Sequence, residues 1–338
     1  MVVEKESTFK VAGASLYAKS WEVRISHLSA LSCLTGPLTY TIKTPQQPEG
    51  PIKAKLIFVH GFSDHINRYY GFFPSLAARG IAVYGFDQRG WGRSVKKPAD
   101  RGLTGPTSRV IADIVAFIEP HLSDVPGAPP VFVMGHSMGG GQVLTLACDE
   151  QYQDRIVSRV RGWLLESPFI GFAPELKPNL LKVYGGRLAG KLFPHRQMVN
   201  QIPPEDLSRD PEVQKSIAAD ELMHNTGTLE GLSGMLDRTD GLTRGTIRPP
   251  GGIENAKIKA IWFGHGSSDK ATDYNASKRY YDQVITGTVK DRMFNRYEGW
   301  YHQLHADGPC SEEFYKDVGD WILERSEVSD SAKFEAKI

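Results

Sequence analysis

A serine flanked by glycines stands between two apolar runs, in the stretch GHSMG at residues 135–139. The run before it, VFVM, has the composition of a buried strand, and the run after it, GGGQVLTLA, is typical of a helix. Glycine on either side lets the backbone turn sharply enough to lift the Ser137 hydroxyl above the edge of a sheet. The short pattern also arises by chance, so its position between strand and helix is what indicates a nucleophile.

A serine hydroxyl is unreactive at its free pKa, so a nucleophilic serine needs a histidine base and a carboxylate that orients that base. In chains with this turn, the order is serine, acid, histidine. Asp269 follows the predicted strand IKAIWF and is the favoured carboxylate, with Asp273 as the alternative. His302 lies between the last predicted strand and the last predicted helix and is the expected base, with His305 as its rival.

Acyl transfer through a tetrahedral intermediate also needs backbone N–H groups that hold the developing negative charge. Met138 follows the serine at the start of a helix, where negative charge is favoured. Phe62 follows the predicted strand KAKLIFVH, and Gly61 lets the backbone approach an ester closely. We therefore expect Phe62 and Met138 to form an oxyanion hole. Three further histidines are expected to have structural roles. His60 and His136 should form hydrogen bonds to loop backbone, and His265 should pack beside the acidic loop.

Strands of five or six residues alternate with amphipathic helices, which predicts an α/β fold with a mostly parallel, doubly wound sheet of about eight strands. The predicted strands cover residues 8–11, 15–21, 53–60, 81–86, 130–135, 162–166, 258–263 and 289–297. Between residues 168 and 255 this alternation stops, and amphipathic pieces such as 180–193 predict a helical cap. The cap is inserted into a core made of residues 1–167 and 256–338.

The composition excludes several classes of protein. Lys and Arg total 40 and Asp and Glu 39, a net charge of +1, whereas nucleic-acid-binding proteins usually carry a clear basic excess. The cysteines at positions 33, 148 and 310 form no Cys-x-x-Cys pair, so neither a disulfide framework nor a structural zinc site is expected. The sequence offers no cluster of metal ligands, and no metal or cofactor is expected.

Five segments, in order along the chain, resemble motifs of the monoacylglycerol lipase group within the α/β-hydrolase superfamily, to which the S33 serine aminopeptidases are related. They are HGFSDHINRY at 60–69, DQRGWGRS at 87–94, GHSMGG at 135–140, GSSD at 266–269 and EGWYH at 298–302. The resemblance covers residues 8–21 and 52–326. It implies Ser137, Asp269 and His302 as a catalytic triad, and Phe62 and Met138 as oxyanion donors.

The resemblance also implies hydrolysis of a small acyl ester through an acyl-enzyme, with monoacylglycerol as the expected substrate. Lysophospholipases, thioesterases and esterases acting on a biosynthetic intermediate share much of this pattern and stay open, as does a non-catalytic ligand-binding protein of this fold. The segment 180–193 is expected either to pack within the cap or to contact an acyl chain and a membrane or lipid-droplet surface. The expected acyl-chain contacts are Leu180, Leu181, Tyr184 and Leu188.

Residues 22–40 depart from the family pattern, because the group usually passes soon after the position of Trp21 into the strand before His60. We interpret them as an insertion, either non-coding sequence retained in a gene model or an ordinary surface excursion. The amino terminus lacks the apolar stretch of a secretory signal, and no run reaches the ~20 apolar residues of a membrane span. The tripeptide Ala336-Lys337-Ile338 is a conservative variant of the Ser-Lys-Leu peroxisomal address. A cytoplasmic or peroxisomal protein is expected.

Overall fold

A sheet of eight strands forms the centre of the computed structural model, which describes residues 1–23, 51–176, 180–308 and 311–327. The strands, in chain order, are β1 (Val2–Val11), β2 (Ala14–Val23), β3 (Ala54–Val59), β4 (Ile81–Phe86), β5 (Val131–His136), β6 (Gly162–Glu166), β7 (Gln197–Val199), β8 (Thr226–Thr228), β9 (Ala260–Gly266) and β10 (Asp291–Tyr297). The large sheet has the order β1-β2-β4-β3-β5-β6-β9-β10, and β7 pairs with β8 separately. The six strands from β4 to β10 in that order run parallel, whereas β2 is antiparallel to both of its neighbours.

Helices cover both faces of the sheet. In chain order they are α1 (Phe72–Ala78), α2 (Thr107–Ile118), α3 (Met138–Cys148), α4 (Leu180–Leu192), α5 (Pro204–Leu207), α6 (Pro211–Ala219), α7 (Leu229–Thr243), α8 (Tyr274–Tyr280) and α9 (Ser311–Ser326). Alternate residues of β3 point to opposite faces: Ile57 and Val59 pack in a cluster with α2, α3 and α8, while Leu56 and Phe58 pack with α1 and α9. This two-sided burial explains why the central strands are continuously apolar. The predicted doubly wound α/β fold is confirmed.

Most of the sheet lies where the sequence predicts it, and β4 and β6 coincide with the predicted strands 81–86 and 162–166. β1 is longer than predicted, because it begins at Val2 and pairs with β2 along its whole length, from Val2 opposite Val23 to Val11 opposite Ala14. Its charged residues are typical of an exposed edge strand. They interrupt the apolar alternation by which a strand is recognised in a sequence.

The segment between β6 and β9, residues 168–255, holds α4 to α7 together with the short strands β7 and β8. The sequence predicts helices there but does not predict the two short strands. α7 contains glycines and threonines, which are weak helix formers. Tertiary packing overrides that weak propensity, since Leu242 at its end is fully buried in the core cluster of α2 and α3.

Of residues 22–40, Glu22 and Val23 end β2, and residues 24–40 lie outside the described residues together with Cys33. The carboxyl-terminal tripeptide 336–338 and Cys310 lie outside them as well. Among the helices of the described ranges, none is both long enough and apolar enough to cross a membrane.

Candidate active site

Ser137 occupies the turn between β5 and α3, at the carboxyl edge of the sheet. Its backbone has φ 55° and ψ −120°, a region that a residue with a side chain rarely adopts. Two hydrogen bonds hold this conformation: Ser137 N–H donates to the Glu166 carbonyl (2.9 Å), and Phe169 N–H donates to the Ser137 carbonyl (2.8 Å). These hydrogen bonds therefore hold the Ser137 residue at the end of β5, where the sequence predicts it.

The glycines on either side of the serine permit close contact between the turn and its neighbours. A Cβ added to Gly135 would lie 2.4 Å from the Gly139 carbonyl oxygen, and one added to Gly139 would lie 2.2 Å from the Val59 carbonyl oxygen. Both obstacles are backbone atoms, which cannot move aside as a flexible side chain can. The two glycines thus allow α3 to start directly against β3.

Asp269 and His302 meet across the loops that follow β9 and β10. His302 Nδ1 donates to Asp269 Oδ2 at 2.8 Å, and His265 Nε2 lies 3.0 Å from the same oxygen. The other oxygen accepts the N–H groups of Ala271 (2.8 Å) and Thr272 (2.9 Å). Burial alone would raise the pKa of the Asp269 carboxyl, but the nearby His302 and the hydrogen bonds from both histidines outweigh it and hold this pKa well below its usual range. A charged carboxylate thus orients the His302 ring.

The two alternatives have other partners. Asp273 caps α8, where its side chain accepts Asn275 N–H at 2.8 Å. His305 is buried and pairs with Glu166, its Nδ1 lying 2.7 Å from Glu166 Oε1. The geometry therefore agrees with the choice of Asp269 over Asp273 and of His302 over His305.

Ser137 and His302 line one cavity of about 430 Å³. In the part of the chain that the structure describes, the His302 ring makes hydrogen bonds to Asp269 and Thr272, and none joins it to Ser137 Oγ. Hydrogen bonds between a nucleophile and its base often tighten only when substrate binds. The structure thus places the Ser137 side chain and the His302 ring in one cavity, with the ring oriented by Asp269.

Phe62 lines this cavity, and Met138 follows Ser137 as the first residue of α3 and borders a smaller cavity that Phe62 also lines. Neither backbone amide donates to a protein acceptor within the described ranges, and Met138 begins α3, so its N–H has no partner inside the helix. The Phe62 loop is held by His60, whose Nδ1 lies 2.9 Å from the Gly61 carbonyl and whose Nε2 accepts Gln88 N–H at 2.8 Å. Burial lowers the pKa of His60, which keeps the ring neutral. The predicted backbone contact of His60 is present.

Residues 201–225 of the inserted segment complete the cavity. Its apolar wall consists of Ile202, Pro203, Pro204, Leu207, Ile217 and Met223. Its polar wall includes Gln201, Glu205, Asn225 and, from the base loop, Gln303. The cavity thus presents apolar surface and hydrogen-bonding groups side by side.

Residues 201–225 are tied to the core by hydrogen bonds to loops of the active site. Gln303 N–H donates to the Leu207 carbonyl at 2.8 Å, and the Arg209 guanidinium donates to the buried Asp307 at 2.8 Å. On the opposite side, Asn225 N–H donates to the Ser63 hydroxyl at 2.8 Å. Asp220 accepts from His65 and Arg68, each at 2.9 Å, close to the Phe62 loop. These contacts fix the wall to both catalytic loops.

The four residues predicted to contact an acyl chain lie on α4. The side chains of Leu180, Leu181 and Tyr184 are outside what the structure describes. Leu188 is 64% exposed and does not line the cavity that holds Ser137. The assignment of all four stays a prediction, and the cavity wall instead comes from residues in and around α5 and α6, for which the sequence predicts only a place in the cap.

Behind Ser137, His136, Glu166 and His305 form a buried cluster that sequence reasoning missed. Among the described residues, this is the group whose donor atoms, all within 4.8 Å, could hold a metal ion. His305 Nδ1 already donates to Glu166, however. The ring of His136 makes no hydrogen bond to loop backbone in the described ranges, against the prediction, and its Nδ1 lies 3.6 Å from Glu166 Oε2. The signal in the sequence that could have revealed this cluster is Glu166, an acidic residue that ends the buried strand GWLLE.

Comparisons with known proteins agree with this geometry. A family model described as serine aminopeptidase, S33 matches residues 50–309. A Schizosaccharomyces pombe protein, named provisionally as a monoglyceride lipase, is 32% identical over 289 residues, covering 83% of this chain and 70% of that protein. Monoacylglycerol lipase of Mycolicibacterium smegmatis is 27% identical and covers 85% of this chain and 92% of its own length.

Solved structures share the fold. A soluble variant of Saccharomyces cerevisiae monoglyceride lipase, crystallised with a substrate analog, matches with a TM-score of 0.79 at 19% identity, covering 97% of each chain. Monoacylglycerol lipase of Paleococcus ferrophilus matches with a TM-score of 0.67 at 25% identity, covering 81% of this chain and 96% of the other. The predicted resemblance is confirmed.

The turn around Ser137 should not tolerate a side chain at position 139. Gly139→Ala drives a Cβ into the Val59 carbonyl, and we expect it to lower the free energy of unfolding by about 2–3 kcal/mol. Gly186→Ala is the control, because its Cβ would meet nothing within 4 Å in α4; it should stabilise by about 0.5–1 kcal/mol. Urea denaturation measures both, and equal stability of Gly139→Ala and wild type would contradict the packing argument.

Proposed function

The chain belongs to the serine aminopeptidase S33 family of α/β-hydrolases, and on that premise we propose that it hydrolyses monoacylglycerol to a fatty acid and glycerol. One observation carries the proposal: Ser137 on a strained turn and His302 oriented by Asp269 at 2.8 Å line a single cavity. The named relatives, monoglyceride lipases among them, support a carboxylic ester hydrolase.

The reaction proceeds in two acyl-transfer steps. His302 Nε2 takes the proton of Ser137 as Oγ attacks the ester carbonyl carbon, and Asp269 stabilises the imidazolium that forms. The N–H groups of Phe62 and Met138 hold the oxyanion, each contributing about 3 kcal/mol to the transition state. His302 then protonates the departing glycerol oxygen, the C–O bond breaks, and water releases the fatty acid from Ser137 by the same route.

The cavity walls favour a monoacylglycerol because they pair apolar with polar surface. An acyl chain fits against Ile202, Leu207 and Ile217, and glycerol hydroxyls can bond Asn225 and Gln303. In this proposal residues 168–255 act as a cap on a core of residues 1–167 and 256–338. Asp220 already pairs with His65 and Arg68, so it is not free to bind the amine of a peptide substrate.

The proposal also includes contact with a lipid surface through the cap. Exposed apolar side chains cluster along residues 188–199, at the end of α4 and in β7: Leu188, Leu192, Phe193, Met198 and Val199. Exposed Lys191 and Arg196 lie within the same stretch, at the level where lipid headgroups would meet it. Such a patch exceeds the scattered apolar residues of an ordinary surface.

The substrate is tested with a panel of esters: monoacylglycerol, diacylglycerol, lysophospholipid, acyl-CoA, a short activated ester and an aminoacyl amide. We expect the highest kcat/KM for monoacylglycerol. Ser137→Ala should lower turnover to the level of the buffer blank, because it removes the attacking oxygen. A higher kcat/KM for another class would replace the substrate assignment, and activity retained by Ser137→Ala would refute the nucleophile.

The acid is tested by a matched pair of substitutions on one loop. Asp269→Asn should lower kcat by about 10⁴-fold, since the amide no longer holds the correct tautomer of His302. Asp273→Asn removes a carboxylate four residues away that caps α8; because asparagine caps a helix about as well as aspartate, it should change stability by less than about 1 kcal/mol, with kcat unchanged. Equal losses of kcat in the two variants would contradict the assignment.

Lipid contact is tested by sedimentation with vesicles of phosphatidylcholine and phosphatidylglycerol. The double variant Leu192→Ser/Phe193→Ser should bind vesicles at least about tenfold more weakly, because it removes apolar surface that would enter the membrane interface. Val125→Ser is the control: Val125 is 69% exposed but precedes β5, at the opposite edge of the sheet. Hydrolysis of a soluble ester should stay unchanged in both, and unaltered vesicle binding by the double variant would refute the contact.

A further inference from the structure

Glu166 is a fully buried carboxylate that the reaction above does not use. It ends β6, and its main-chain carbonyl accepts the N–H of Ser137 at 2.9 Å. Its side-chain Oε1 accepts two hydrogen bonds from His305, from the main-chain N–H at 3.1 Å and from Nδ1 at 2.7 Å. His305 lies three residues after His302 in the same loop. One residue therefore bonds both the serine turn and the loop that carries the base.

We propose that Glu166 is a positioning residue that sets the separation of Ser137 from His302 and supplies a negative charge that favours the His302 imidazolium. The inference rests on the proposed function, because it assigns Glu166 a part in the same acyl transfer. Glu166 does not line the substrate cavity. It acts through His305 and the Ser137 backbone, and it should affect kcat more than KM.

The charge on Glu166 is maintained by its neighbours. Burial alone would raise its pKa, but His305 and His136, with the His305 hydrogen bonds, hold the pKa of this carboxyl below its usual range. Burial lowers the pKa of His136 to about 3, so this ring stays neutral and does not itself neutralise the carboxylate. The His136 ring centroid lies 4.8 Å from that of His302 and 5.2 Å from that of His305. The negative charge is thus separated from the base by one neutral ring.

Other titratable groups face this cluster, and the variants used in a test must leave those residues unchanged. Those around Glu166 are His136, His305, Tyr69, Asp64 and Tyr315. Those around His302 are Asp269, His265 and His136. Asp269 contacts His302 directly and dominates its charge balance. Removing Glu166 alone should therefore move the acid limb of the activity profile only modestly.

The test compares Glu166→Gln, Glu166→Asp and Asp113→Asn with wild type on a soluble ester. Active sites are counted by titration with an organophosphonate, so that kcat refers to folded enzyme. Asp113→Asn is the matched control, because Asp113, on α2, is also buried but pairs with Arg89, away from Ser137 and His302. The acid limb of the kcat/KM profile reports protonation of the essential base in the free enzyme.

For Glu166→Gln we expect kcat about tenfold lower, KM within about twofold, and an acid limb about half a pH unit lower, since losing the negative charge disfavours the imidazolium. Glu166→Asp keeps the charge but is too short to reach His305; kcat should fall while the limb stays in place. Asp113→Asn should lower stability with both readouts unchanged.

An acid limb that stays in place in Glu166→Gln, or a kcat per titrated site equal to that of Asp113→Asn, overturns the proposal. If Glu166→Gln yields no titratable sites, Glu166→Asp decides, and a kcat per site equal to wild type overturns it. Absence of ester hydrolysis in the wild type would refute the proposed function instead, so the two failures are distinguishable.

Discussion

The backbone of Ser137 holds a conformation that costs a residue with a side chain about 1–3 kcal/mol, and the surrounding structure must enforce it. β6 supplies the Glu166 carbonyl for the Ser137 N–H, and the loop after β6 supplies Phe169 N–H for its carbonyl. The absence of side chains at Gly135 and Gly139 lets α3 begin against β3. The sheet order, the strand ends and the start of α3 therefore all fix the position of one hydroxyl, that of Ser137. The residues around it can stay rigid, because this oxygen is already in place.

A layer of imidazole rings and carboxylates lies beneath that hydroxyl. Asp269 holds the ring of His302 from one side, and Glu166 holds that of His305 from the other, with His136 between the two rings. The interior is poor in water, so each charge there acts over a longer range than at the surface. Burial opposes ionisation of both carboxyl groups, and in both cases neighbouring histidines more than compensate. The exceptions include His136 Nδ1 and Glu166 Oε2, which lie 3.6 Å apart without a hydrogen bond.

Much of this could be read from the sequence, because the fold and the triad depend on local signals. Each of these signals spans only a few residues: an apolar strand run, the glycines around Ser137, or an acid or histidine just after a predicted strand. The cavity wall could not be predicted, since Leu207 and Asn225 reach the site only through tertiary contacts of the inserted segment. Glu166 was missed for a related reason: its partner His305 lies 139 residues away. Only residues 8–11 of β1 are predicted from the sequence, because the rest of this polar edge strand shows no apolar alternation.

The cavity wall and the base loop share a main-chain hydrogen bond, from Gln303 to Leu207, and an ion pair from Arg209 to Asp307. Asp307 also accepts Tyr301 N–H, directly beside the base. Residues 201–225 are therefore not a detachable module. An engineer who replaces residues 201–225 with those of a relative must replace residues 301–307 as well, or the loop that carries His302 loses these contacts. Evolution faces the same constraint, so the two segments should change together.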